Sequence, residues 1–75
     1  MERYKNLGGH SSVQAFELGQ DSITVEFNDG ATYLYDCACT GTTHIDQMKR
    51  LALAGYGLNS YIIECVMKAH VARLR

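Results

Sequence analysis

The stretch SITVEFNDGATYLYD, residues 22–36, decides the fold: two segments of alternating apolar and polar residues flank Asn28-Asp29-Gly30. Gly30 can adopt the left-handed conformation that closes a three-residue hairpin loop with a bulge, and Asn28 and Asp29 suit the type I turn before it. That loop sets Phe27 against Ala31, Val25 opposite Tyr33 and Ile23 opposite Tyr35. Ile23, Val25, Phe27 and both tyrosines then share one face. A two-residue Asp29-Gly30 loop would instead set the tyrosines beside Thr24 and Glu26, scattering the apolar side chains, so the first register is preferred.

Working outward, residues 12–18 read as a preceding strand. Phe16 and Leu18 alternate onto one face, with Val13, Ala15 and Glu17 on the other, and Gly19-Gln20-Asp21 turns the chain into the hairpin. Placing Leu18 opposite Ile23 sets Phe16 against Val25 and extends the apolar face into a three-stranded antiparallel meander over residues 12–36. Residues 1–11 read as a loose lead-in, with Tyr4 and Leu7 as isolated apolar anchors.

Helical signals follow the sheet. Thr43 is a candidate N-cap with Asp46 in the first turn; Ile45, Met48, Leu51 and Ala52 form an apolar stripe; Gly55 suits the C-terminal cap. These predict a first helix over 44–54. Gly57 permits an unusual backbone angle in the connector, and Asn59 or Ser60 then caps a second helix over 59–74. That helix carries two stripes, Ile62, Cys65, Val66, Ala69 and Ala72 on one side and Ile63, Met67, Val71 and Leu74 on another. The expected fold is α+β, in the order β-β-β-α-α, with the helices on one face of the meander.

Seventy-five residues make one domain, and a core of this size rarely supplies more than ~3–5 kcal/mol unaided. One small sheet and one short helix can hardly cover both stripes of the second helix, so a homo-oligomer formed through that helix is expected. No run approaches the roughly 18 apolar residues of a membrane span. Three cysteines, Cys37, Cys39 and Cys65, lack the even pattern of a secreted disulfide framework. The expectation is a cytoplasmic protein.

Net charge is −1, distributed unevenly. Residues 6–48 hold six acidic side chains and no Lys or Arg, while residues 49–75 hold Lys49, Arg50, Lys68, Arg73 and Arg75 against Glu64. A basic helical half can mark an anion-binding face, or two halves that attract each other or a partner.

Reaction chemistry finds little footing. Cys37-x-Cys39-x4-His44 with Cys65-x4-His70 has poor zinc spacing, since structural sites close turns of two to four residues between cysteines. A cysteine with His44 supplies the types for nucleophilic catalysis without an orienting third group, and the glycine pairs lack a phosphate-binding pattern. No catalytic residue, metal or cofactor is assigned. Tyr33 and Tyr35 on a sheet beside basic helices could stack unpaired bases. In the preferred register both rings face the helices, so core packing is the competing and favoured role.

The pattern Val25-x-Phe27-x-Asp29-Gly30-x-x-Tyr33-x-Tyr35, followed by Met48, Ala54, Gly57-Leu58-Asn59 and an apolar helix, resembles the KTSC family. That family is named for a domain at the C-terminus of some lysyl-tRNA synthetases and also occurs as free-standing small bacterial proteins. The resemblance spans about residues 11–63, with Ala38-Cys39 standing where members often carry Val-Pro. It implies a non-enzymatic RNA-binding role. Lys49, Arg50, Lys68, Arg73 and Arg75 would then contact phosphate, and Tyr33 and Tyr35 would contact bases. The alternative is a homo-oligomeric or adaptor module that meets another protein through its surplus apolar surface.

Overall fold

The structure, a computed structural model, describes residues 1–7, 9, 11–66 and 72–74. Its centre is the expected meander, β2 (Val13–Leu18), β3 (Ser22–Phe27) and β4 (Thr32–Asp36). Ile23 pairs with Tyr35 and Val25 with Tyr33, while Phe16 lies opposite Val25 and Leu18 opposite Ile23. The loop closes as its residues require: Phe27 N donates to Ala31 O, Gly30 N donates to Phe27 O, and Gly30 sits at φ +90°.

Among the described residues, two short strands extend this sheet into five in sequential order, and both correct the expectation of three. β1 (Glu2–Arg3) pairs antiparallel with β2. The lead-in is therefore anchored: Tyr4 is 3% exposed, and its N–H donates to Gln14 O. β5 (Ala72–Arg73) pairs with β4, Arg73 opposite Tyr33 and Ala72 opposite Leu34, where a helix to Leu74 was expected. The outer edge of β4 presents unpaired backbone donors and acceptors, and a returning segment satisfies them. Pairing across the chain thus overrides local helical periodicity.

One parity also changes. Val13 pairs with Phe27 but Ala15 pairs with Glu26, so Gln14 is an extra residue in β2. The bulge flips the alternation on its N-terminal side. Val13, expected on the face opposite Phe16, joins Phe16 in the core, while Leu18 at the other end of the strand is 40% exposed.

The first helix, α1, spans Thr42–Ala54, two residues earlier than expected. Its cap is Gly41 at φ +102°, not Thr43, because the preceding turn is already wound: Thr40 N donates to Asp36 O and Gly41 N to Cys37 O. Ile45, Met48 and Ala52 form its buried face. Gly55 ends it in the left-handed conformation, donating to Leu51 O and accepting from Leu7 N. The second helix is short, α2 (Leu58–Tyr61), passing into a π-helical turn over Ile62–Val66. Gly57, at φ +82°, precedes it, so neither Asn59 nor Ser60 is its cap. The remainder expected over 67–71 lies outside the described residues.

The core gathers Tyr4, Val13, Phe16, Ile23, Val25 and Tyr35 from the sheet against Ile45, Met48, Ala52, Leu58 and Ile62 from the helical side. It is one layer of helix on one face of the sheet. Among the described residues, no helix is long and apolar enough to cross a membrane.

Candidate functional site

The register that places Tyr33 and Tyr35 on one face does not give them one role. Tyr35 is 1% exposed. Burial, with a smaller contribution from neighbouring Tyr33, pushes its hydroxyl up to about 12, so it is a neutral core side chain at ordinary pH. Tyr33, two pairs nearer the hairpin turn, is half-buried. Its ring meets Phe27 edge-on, with centroids 5.8 Å apart and planes at 75°. Arg73, carried by β5 to the position opposite Tyr33, lies over that ring with Cζ 5.7 Å from the centroid.

Beside this trio opens an apolar cleft of about 270 Å³, with Tyr33, Phe27 and the buried Tyr35 on the sheet side, Ile62 and Ile63 on the helical side, and Ser12 and Asn59 as its polar rim. A shallower depression around Asn28 and Asp29 shares Phe27, Tyr33 and Ser12 with it. The cation above an aromatic face is thus continuous with an apolar slot. Flat, weakly polar groups that carry negative charge nearby suit such a surface.

The other basic candidates are dispersed. Lys49 Nζ donates to Gly19 O at 2.8 Å and Gln20 O at 2.9 Å, fastening α1 to the β2–β3 turn at the far end of the hairpin from Phe27. Arg50 is exposed on α1. Lys68 and Arg75 lie outside the described residues. Of the seven residues expected to bind nucleic acid, the structure sets Arg73 over Tyr33, and the buried Tyr35 joins Tyr33 in the lining of the cleft. Asn59, read from the sequence as a helix cap and as part of the Gly57-Leu58-Asn59 pattern, lines the cleft; no local signal gives it that place, since its position depends on the 57–62 turn folding against the sheet.

The thiol and imidazole groups have structural surroundings. Cys37 is half-buried, packs against the core, and donates its N–H to Asp21 O. Cys39 is exposed, and its N–H is capped by Asp36 Oδ1 at 2.9 Å. His44 Nδ1 shares a 2.5 Å hydrogen bond with the Tyr61 hydroxyl, tying α1 to α2. Among the described residues, no three His, Cys, Asp or Glu side chains converge as metal ligands would. His10 and His70 lie outside the described residues.

Comparisons with family models, curated proteins and solved structures find no match to this chain.

Proposed function

We propose that this chain is a non-enzymatic binding domain for single-stranded RNA, acting in the cytoplasm, with Tyr33 and Arg73 at the centre of its contact surface. What carries the reading is the stack of Arg73 over Tyr33 at the mouth of an apolar cleft. An unpaired base can stack on the aromatic face or between it and the guanidinium, and the same cation meets the adjoining phosphate. The resemblance of the hairpin to the KTSC family, a membership that is part of the same proposal, points the same way. Tyr35 contributes by packing beneath the surface and not by touching bases.

Titration with tRNA and with unstructured single strands at two salt concentrations tests this. Several phosphate contacts require affinity to fall with salt, each contributing about −0.7 to the logarithmic slope on single strands. Tyr33→Ala should weaken binding by about 1–3 kcal/mol, the scale of one stacked base. Failure to bind either RNA at low salt removes the proposal.

A second reading has its own support. Ile63 and Leu74 are 55% and 53% exposed, one lining the cleft and the other next to β5. Exposed apolar side chains of this kind would suit self-association or an adaptor contact. Light scattering separates the two readings: a dimer that protects Tyr33 favours the second, and a monomer over the whole concentration range disfavours it.

A further inference from the structure

A second cleft, of about 180 Å³, lies between the lead-in and the 57–60 turn, lined by Tyr4, Asn6 and Ser11 on one side and by Gly57, Asn59 and Ser60 on the other. Among the described residues, no charged side chain lines it. Its hydrogen-bonding capacity is left over. The Tyr4 hydroxyl accepts from Leu58 N at 3.3 Å, which places it between the Gly57 and Asn59 walls, and among the described residues nothing accepts its proton. Yet Tyr4 is 97% buried, so this is a donor withdrawn from bulk water and turned to a cavity. Asn6 uses Oδ1 to accept from Ser11 N, and its Nδ2 has no acceptor among the described residues. The Asn59 amide likewise has no hydrogen-bond partner among them.

We infer that this cleft reads the edge of an unpaired nucleobase, an inference that rests on the RNA-binding reading above. Two observations select a base over a phosphate or a sugar. The walls are neutral, so they offer no compensation for a buried anion. The unspent groups also include side-chain amides beside a hydroxyl, the set that recognises the flat donor and acceptor pattern of a base. Asn59 lines both this cleft and the apolar one, and the successive residues Ser11 and Ser12 line one each. Neighbouring nucleotides of one strand can therefore occupy the two clefts, one base stacked at Tyr33 and the next read at Tyr4 and Asn59. Two of the unspent groups, Tyr4 O–H and Asn6 Nδ2–H, donate, so a base with carbonyl acceptors is favoured. Uracil fits this; adenine has no carbonyl.

The test compares the affinities of equal-length oligouridylate and oligoadenylate for the full chain and for Tyr4→Phe and Asn59→Leu. The wild-type chain should prefer oligouridylate. Each variant should reduce the ratio of the two affinities by roughly two- to tenfold, the worth of one hydrogen bond. Tyr4→Phe also removes the acceptor of Leu58 N–H, but a loss of fold weakens both ligands alike and leaves the ratio unchanged. Asn59→Leu leaves that bond intact. Retained binding with an unaltered ratio in both variants means that the cleft holds only water, and overturns this inference while sparing the RNA reading. Binding of neither oligonucleotide overturns both.

Discussion

Arg73 lies over the ring of Tyr33 because β5 pairs with β4 at that position, so a contact across forty residues of chain is fixed by backbone hydrogen bonding and not by side-chain affinity alone. Leu74 N donates to Thr32 O and extends the same attachment. A cation from an exposed side chain held this way over a half-buried ring contributes about 0.5–1 kcal/mol.

Arg73→Ala should therefore lower stability by under about 1 kcal/mol in urea unfolding. On the proposed function it should do more to binding, weakening RNA affinity across sequences and reducing the salt slope by about one phosphate contact. A stability loss with no change in slope would leave Arg73 as a staple for β5.

Lys49→Met provides the contrast. Its ammonium is engaged by Gly19 O and Gln20 O. Removal should destabilise the chain by about 1 kcal/mol, since these are charge-assisted but exposed bonds. The salt slope of RNA binding should stay as it is; a slope reduced as in Arg73→Ala would show that Lys49 leaves the turn to meet phosphate.

Two glycines separate backbone strain from steric conflict. Gly30→Ala meets open space, so its cost is that of a left-handed non-glycine residue, about 1–2 kcal/mol. Gly55→Ala carries the same conformational cost at φ +84°, and its new Cβ lies 2.7 Å from Lys5 Cβ. It should be the more damaging substitution and should displace the lead-in. Equal denaturation midpoints for the two variants would contradict this.

The hairpin around Gly30 was legible because its information is local. Loop chemistry and alternation both act over a dozen residues, and they agree on the register that sets Val25 opposite Tyr33. The cleft was not legible. It is assembled from Ser12, Phe27 and Asn59, whose proximity depends on the turn at Gly57 folding back on the sheet.

Alkaline pH should report the burial of Tyr35. The Tyr35 hydroxyl ordinarily ionises near pH 10 and is raised to about 12 by burial. The fold thus favours the protonated form, contributing stability that is fully present below pH 10 and lost as pH rises through 12. The loss should reach about 2–3 kcal/mol, and Tyr35→Phe should lack that component. A Tyr35→Phe chain with the same stability decline between pH 10 and 12 would refute the assignment.

By itself the sequence determined the meander register, the body of α1 and the glycine that ends it, Gly55, because each depends on the conformational preferences of neighbouring residues and on one apolar face seeking cover. The tertiary structure alone decided which residues stand at the surface. Pairing at the sheet edges converted a predicted helix end into β5 and a loose lead-in into β1, since bare edges leave main-chain hydrogen bonds unmet. A single inserted residue, Gln14, sent Val13 inward. Tyr33 and Tyr35 are equivalent in alternation but unequal in depth: Tyr35 is a fully buried member of the core, and Tyr33 packs half-buried against it.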